Sequence, residues 1–340
     1  MTGGKRPLLT TSAFSLGWLS AGGLFLIALV RAWGSETSAL SIGMQGVAVW
    51  LLLPAYGLLC AASVVLVRRR RRRAGALRWP LVLTVVALGL VVAQASLLTS
   101  AIGWHGSRAA PAGTTTLRIV SANVLVDNTQ IDELADELVA TDADIIVLQE
   151  VTVEHAATLA ASPLWGDYAY RLIDPHPGFH GSAIFSRYAF QSGGPIDVAG
   201  SPMIEATIRT PAGPVRLVDV HPVAPIDTEN ARIWGRQFME LALLAGKEKT
   251  PLILAGDFNA TLDHAPLRRL VNTGLRDAFV ESGSGFGATW PRWDSLIPPV
   301  MRLDHVLVSH QITVMSITDQ KSAGSDHRRL LVELALPPGD

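Results

Sequence analysis

Apolar positions divide the chain in two. In the first hundred residues they are nearly continuous: Thr11 to Val30, Thr37 to Val67 and Trp79 to Trp104 contain no Asp, Glu, Lys or Arg. Each stretch reaches the roughly 20 residues that cross a bilayer core. The pattern predicts three transmembrane helices, at about residues 11–32, 40–67 and 79–104. A cleavable signal peptide is the alternative for the first, but it requires a shorter apolar core and a small-residue cleavage site, and two further spans follow.

Beyond the Gly- and Ala-rich stretch "HGSRAAPAGTT" (105–115) the apolar residues come in short runs. "LRIVSANV", "DIIVLQE", "GSAIFSR", "MIEATIRT", "PVRLVDVH", "PLILAGDFN", "LDHVLVSH" and "RRLLVELAL" read as strands, several of them apolar enough to be covered on both faces. "IDELADELVA" places Leu134, Leu138 and Val139 at helical spacing, and helical patterns fill 228–245 and 265–272. Strands outnumber helices and are only partly separated by them. The prediction is a layered α+β sandwich over residues 116–338, preceded by a membrane domain (1–104) and a linker (105–115).

Charge adds a direction to this picture. "RRRRRR" (Arg68 to Arg73), with Arg78 beyond it, lies between the second and third apolar stretches, whereas the first connection carries only Arg31 and Glu36. Arginine runs also bind nucleic acid or anionic lipid, but one set directly at a span end reads first as a positive-inside signal. It puts that loop in the cytoplasm, the N-terminus with Lys5 and Arg6 beside it, and residues after 104 outside the cell. The expected protein is therefore a multi-pass cell-membrane protein with an extracytoplasmic C-terminal domain. Gln45 and Gln94 are the strongly polar residues of the spans, which argues against an ion or proton pathway. Of the chain's 28 basic and 29 acidic residues, 11 and one respectively precede residue 111, leaving the outer domain 17 against 28 and a formal charge of −11. That sign opposes sequence-independent binding of long nucleic acid. The single cysteine, Cys60, lies in a span, so the outer domain has no disulfide, thiol nucleophile or cysteine zinc site.

Polar residues recur where the apolar runs stop: Asn123, Glu150, His221, Asp257 with Asn259, Asp304 with His305, and Asp326 with His327 before the last strand. Each alone has a plain structural explanation, as an Asx turn, a helix cap or a strand terminator. Together they form a carboxylate-rich set at strand ends. Mg²⁺ takes oxygen ligands from one or two carboxylates, waters and a substrate phosphate. An attacking water needs an orienting base, and phosphoryl transfer needs donors to the equatorial oxygens.

In this order "SANV", "LQE", "VHP", "GDFNA", "RLDHVLVS" and "SDHRR" resemble the signature blocks of the endonuclease/exonuclease/phosphatase superfamily, over roughly residues 115–337. The resemblance implies a four-layer αββα sandwich, DNase I-like, and phosphoester hydrolysis with Mg²⁺, Mn²⁺ being the alternative ion. It implies that Asn123 and Glu150 hold the metal with Asp326 near it, and that Asp257 activates the water. Asn259 and His221 would steady the pentacovalent phosphorus, while His327, oriented by Asp304, contacts the scissile phosphate. The membrane half is outside the general family pattern, although membrane-anchored bacterial members look similar.

Other signals weigh less. His176 and His180 stand four apart, but Pro177 and Gly178 between them prevent the helix that would present both to one zinc, and a loop near the cleft is expected. Ser325, Asp326 and His327 are consecutive and so do not form a hydrolase triad. "ATWPRW", with Trp290, reads equally as a substrate-edge aromatic loop or as core; His180 and Trp290 are the candidate substrate contacts. Asp263 is expected to cap a helix starting near Ala265. The expected function is a membrane-tethered phosphoesterase acting on a phospholipid head group, an inositol phosphate or nucleic acid. An extracellular nuclease and a non-catalytic membrane sensor are the alternatives.

Overall fold

The computed structural model describes residues 7–72, 77–291 and 298–338; Lys5, Arg6, Arg73, Arg292 and Trp293 lie outside the described residues. The chain forms two compact units, Met1–Thr99 and Ser100–Asp340.

The first unit is helical: α1 (Pro7–Trp33), α2 (Ala39–Gly46), α3 (Ala48–Leu51), α4 (Pro54–Arg71) and α5 (Arg78–Ala101). Among the described residues, three stretches are long and apolar enough to cross a membrane, Phe14–Trp33, Ala48–Arg71 and Arg78–Thr99. The second expected span, 40–67, is not one rod. It breaks at Val47 and again before Pro54, whose ring cannot continue a preceding turn and which opens α4 at its first position. Gln94, fully buried on α5, accepts from the Tyr56 hydroxyl at 2.8 Å and donates to the Val49 carbonyl at 3.2 Å. An amide that would be costly among apolar side chains thereby ties α5 to the broken helix.

The third expected span ends early. Residues 102–104 leave the helix as β1 (Ile102–Trp104), which belongs to the second unit. That unit continues with β2 (Thr115–Asn123), α6 (Ile131–Val139), β3 (Ile145–Gln149), α7 (Val153–Ala161), α8 (Leu164–Asp167), β4 (Tyr170–Asp174) and β5 (Ser182–Ser186). There follow β6 (Phe190–Val198), β7 (Ser201–Thr210), β8 (Gly213–Val220), α9 (Thr228–Lys247), β9 (Leu252–Asp257), α10 (Ala265–Val271) and β10 (Leu275–Asp277). The last elements are α11 (Ala278–Ser282), β11 (Ser284–Phe286), β12 (Asp304–Ser309), β13 (Thr313–Lys321) and β14 (Arg328–Leu336).

Two six-stranded sheets, ordered β13-β14-β2-β3-β5-β4 and β10-β12-β9-β8-β7-β6, form the centre. Alternation along the strands explains the four layers. Leu117, Ile119, Ile145 and Val147 of the first sheet pack in one cluster with Ile204, Leu217, Ile253 and Val306 of the second. Val120, Ala122, Ile146 and Leu148, of opposite parity, pack with Leu134 and Leu138 of α6 and Leu159 of α7. Trp234 and Phe238 of α9 pack edge-on to each other, and Phe238 meets Phe258 beyond the end of β9. Both faces of the central strands are covered, which is why their sequences are apolar without interruption. The edge strand β6 carries Gly193, Gly194 and Pro195 and shifts register between Phe190 and Ser192.

Each sheet contains one parallel pair, β2 with β3 and β8 with β9, in the registers Asn123↔Gln149 and Val220↔Gly256. Their carboxyl ends open at one rim, and the antiparallel neighbours β12 and β14 begin there, with Asp304 opposite Asp257.

Candidate active site

Strand polarity concentrates the chemistry. Asn123 ends β2, Glu150 follows β3, His221 follows β8, Asp257 ends β9, Asp304 starts β12 and His327 precedes β14. Ligand sites outside the carboxyl ends of parallel strands are a general consequence of such topology.

Asn123 is the hinge of the set. Its Nδ2 donates to Glu150 Oε1 at 2.8 Å and to Asp257 Oδ2 at 3.1 Å, joining the two sheets. Glu150 has a left-handed backbone, φ +63°, an uncommon state for a non-glycine residue and one that clusters at functional sites. It is held there by the Val126 N–H, which donates to Oε2 at 2.8 Å. His155 lies against its carbonyl at 3.3 Å and against the Asn128 carbonyl at 3.2 Å.

Asp257 is buried and placed by Gly256. With φ +151°, Gly256 lies so close to β8 that a Cβ would meet the Val220 carbonyl oxygen at 2.1 Å. Asp257 Oδ1 accepts the Asn259 N–H at 2.8 Å. Asn259, itself at φ +47°, donates from Nδ2 to the Pro222 carbonyl at 3.0 Å and so links the loops after β8 and β9. His221 Nε2 is 3.8 Å from both Glu150 Oε1 and Asp257 Oδ2.

His327 sits between two carboxylates, with Nδ1 2.8 Å from Asp304 Oδ2 and Nε2 3.6 Å from Asp257 Oδ2. Burial opposes its protonation, but the charges of Asp304 and Asp257 outweigh burial and raise its pKa to about 10. Burial also works against ionisation of Asp257, yet the adjacent His327 and His221 charges hold its pKa below the ordinary carboxylate value. For Asp304 burial prevails and the pKa is raised, with the Asp257 charge adding to the effect. His327 and Asp304 share one proton, and we place it on the imidazole, because two carboxylates face that single ring.

The sequence profile described as the endonuclease/exonuclease/phosphatase family matches residues 120–327. The chain belongs to the endonuclease/exonuclease/phosphatase family. Solved structures agree on the DNase I-like fold. An endonuclease/exonuclease/phosphatase family protein of Bacteroides thetaiotaomicron superposes with TM-score 0.55 and 16% identity, over 66% of this chain and 98% of that one. The mannosyl-6-phosphatase of the same species gives 0.52 and 16%, over 64% and 99%. The 3′ phosphatase NExo from Neisseria, bound to product DNA hairpin, gives 0.52 and 18%, over 64% and 98%. No curated protein sequence matches the chain. Members of the family are phosphoester hydrolases, phosphatases and nucleases among them, and typically use divalent metals.

In this family member the donor set suits a hard divalent cation. Glu150 Oε1 and Asp257 Oδ2 are carboxylate oxygens of the type Mg²⁺ prefers, bridged here by Asn123 Nδ2, while Asn123 Oδ1 accepts the Leu125 N–H at 2.9 Å. A second grouping, Asp257, Asp304 and His327, brings one ligand atom from each within 4.8 Å. There Asp304 Oδ2 is bonded to His327 Nδ1, its buried Oδ1 has no hydrogen-bond partner among the described residues, and the third donor is an imidazole nitrogen rather than an oxygen. The oxygen set is the better match.

The remaining candidates lie at the edge. Asp326 Oδ2 accepts from the Trp290 indole at 3.0 Å, and its charge adds to those acting on His327. His180 is exposed; burial and then the charges of His221 and His176 lower its pKa, which puts it within electrostatic range of the site. His305 turns away from the site, as alternation along β12 requires. Its Nδ1 meets Asp277 Oδ2 at 2.6 Å and its Nε2 the carbonyls of Ala260 and Arg302 at 3.0 and 3.1 Å. Asp263 is buried and does not cap α10: His264 occupies the N-cap position, in a turn closed by the Thr261 N–H on its Nδ1.

Three supports carry no sequence signal of their own. Ser325 Oγ donates to the Asn123 carbonyl at 2.7 Å and accepts the His327 N–H at 3.0 Å. Thr289 Oγ1 accepts the Leu303 and Asp304 N–H groups at 3.0 and 3.3 Å. Beneath the rim, Gln149 Nε2 donates to fully buried Asp219 at 2.7 Å; burial pushes that carboxyl's pKa well up, against the hydrogen bonds from Gln149 and Ser182.

Proposed function

We propose that the protein is a divalent-metal-dependent phosphoesterase tethered to the cell membrane, hydrolysing a phosphodiester or phosphomonoester with a water directed by Asp257. One observation carries this: six strand ends from two sheets bring Asn123, Glu150, His221, Asp257, Asn259 and the Asp304–His327 pair to one rim. Packing alone gives no reason for so many buried polar groups there.

Asn123 and Glu150 would hold the cation, which when bound supplies Lewis-acid polarisation of a phosphoryl oxygen. Asp257, kept ionised by its imidazole neighbours, accepts a hydrogen bond from the attacking water and orients it. His327, fixed through Nδ1 by Asp304, presents Nε2–H to a phosphoryl oxygen or to the departing oxygen. Asn259 has a second amide hydrogen besides the one on Pro222, and His221 a ring nitrogen, for the equatorial oxygens. Asp326 and Trp290 form one edge beside His327, and His180 another near His221.

The domain's formal charge of −11 supports a small or lipid-borne phosphoester over long nucleic acid. Mg²⁺ is favoured by the oxygen-rich set. The arginine run at the end of α4 supports a cytoplasmic loop there and an extracytoplasmic second unit.

Hydrolysis of bis-p-nitrophenyl phosphate with Mg²⁺ tests the chemistry. Loss of the base should cost about 10²–10⁴-fold; an Asp257→Ala protein as fast as wild type, or activity indifferent to chelation, would sink the proposal. A panel of inositol phosphates, phospholipids and plasmid DNA ranks the substrates. A C-terminal alkaline phosphatase fusion that is inactive would refute the outward topology.

A further inference from the structure

The inward-facing row of three central strands turns polar just before the rim. In β3 it runs Ile145, Val147 and Gln149, in β8 Val215, Leu217 and Asp219, and in β5, taken toward the rim, Ile184 and Ser182. The aliphatic members pack together between the sheets, so alternation turns the polar ones the same way. Gln149 stands between Asn123 and Ser182 in the first sheet, and Asp219 between Ile204 and Ala255 in the second. Both are fully buried, and Gln149 Nε2 donates to Asp219 Oδ1 at 2.7 Å from one sheet to the other.

This carboxyl has left water without gaining a counter-charge. Its hydrogen-bond partners among the described residues, Gln149 and Ser182, are neutral, and burial pushes its pKa well up. Asp219 Oδ2 and Gln149 Oε1 are both buried and have no hydrogen-bond partner among the described residues. As a carboxylate, Asp219 would add a bare acceptor to that of the amide, a costly arrangement between apolar faces. A carboxylic acid and a primary amide are instead complementary, each with one donor and one acceptor side by side. One proton on Oδ2 provides the donor that Gln149 Oε1 lacks.

We propose that Asp219 and Gln149 form a neutral acid–amide clasp between the two sheets, and that Asp219 is thereby a positioning residue for Glu150 and His221. The inference rests on the phosphoesterase reading and adds to it what keeps the two sheets' shares of the site in register. Gln149 directly precedes Glu150, whose left-handed backbone at φ +63° is a state that persists only where its surroundings over-determine it. Asp219 stands two residues before His221, near the end of the parallel pair that β8 makes with β9. The same two segments meet again at the rim, where His221 Nε2 is 3.8 Å from Glu150 Oε1. Opening the clasp therefore loosens the carboxylate and the imidazole together.

The test uses the full chain in detergent, at a temperature well below the melting point of every variant. Hydrolysis of bis-p-nitrophenyl phosphate gives kcat and KM, and electron paramagnetic resonance of added Mn²⁺ gives its dissociation constant without turnover. Asp219→Ala and Gln149→Leu should each lower kcat and weaken Mn²⁺ binding by about 10–100-fold. The double variant should be no worse than either single one, because each alone already opens the clasp. Asp219→Asn keeps a donor and an acceptor in the same places and should match wild type in both readings. Ser121→Ala removes a fully buried hydroxyl of β2 that has no hydrogen-bond partner among the described residues, and should change neither reading. Should Asp219→Ala not fold, Gln149→Leu carries the same prediction. Losses of equal size in Ser121→Ala or Asp219→Asn, or none in Asp219→Ala and Gln149→Leu, would overturn the clasp and leave the phosphoesterase reading standing. A wild-type protein that neither hydrolyses the ester nor binds Mn²⁺ would overturn that reading, and the clasp's positioning role with it.

Discussion

Replacing Gly256 by Ala tests whether the close approach of β8 and β9 sets the site. The added methyl would lie 2.1 Å from the Val220 carbonyl oxygen and 2.9 Å from its carbon, at φ +151°. Relief requires the two backbones to part by roughly an ångström. Gly194 is the matched control, with the same φ of +151° and nothing within 4 Å of its added Cβ. Backbone strain costs both variants about 1–3 kcal/mol. Overpacking adds about 1–3 kcal/mol at position 256 alone. At about 2–4 °C per kcal/mol for a unit of this size, Gly256→Ala should melt about 2–12 °C below Gly194→Ala. The displacement reaches Asp257 directly and His221 through Val220, and misplacement by about 1 Å costs on the order of 100-fold in turnover. Thermal melts in detergent and kcat/KM on bis-p-nitrophenyl phosphate read both effects. Equal melting temperatures, with Gly256→Ala still active, would refute the view that this contact positions the two residues.

Further outcomes follow from the charges. His327 has its pKa raised to about 10 from 6.5, so its stabilising share is complete below about pH 6.5 and is lost as pH rises through about 10; Asp304→Asn should move alkaline unfolding of the metal-free protein to lower pH, read by urea midpoints from pH 7 to 11. Mg²⁺ at 100 times its dissociation constant should stabilise the protein by about 2.7 kcal/mol, and Glu150→Gln should abolish the thermal shift; an unchanged shift would place the cation elsewhere. Asp219 has its pKa raised by burial, so its share of stability is present below about 3.8 and declines as pH rises through its folded value. Asp219→Asn should therefore be at least as stable as wild type at pH 7, where Asp219→Ala is destabilised by about 1–3 kcal/mol through its unpaired Gln149.

The sandwich was legible because both faces of its central strands are covered, so "DIIVLQE" and "PLILAGDFN" stay apolar up to the residue where they emerge. The same contrast marked Asn123, Glu150, His221, Asp257 and Asn259 as candidates: each alone has a plain structural explanation, but their recurrence at the ends of buried runs does not. Signals that depend on partners were not legible. Nothing local separates Asp304 from His305, yet one faces His327 and the other Asp277, because only pairing with β9 decides which side of β12 faces the rim. Asp263 resembles a cap until Pro266 and the Thr261–His264 turn move that role by one residue. Ser325 and Thr289 act through backbone groups far away in sequence. The break before Pro54 is readable from the proline, but composition alone merges α2, α3 and α4 into one span. Trp104 belongs by hydropathy to the third helix and by hydrogen bonding to β11.

The pleated rim at β6 bears on how such molecules coexist. An unpaired strand at a sheet margin invites a neighbouring copy to add on. Pro195 withholds a donor from that margin, Gly193 and Gly194 offer no side chain to grip, and the register shift at Ser192 spoils the repeat. The outermost strand is thereby a poor template for edge-to-edge pairing between copies of the chain.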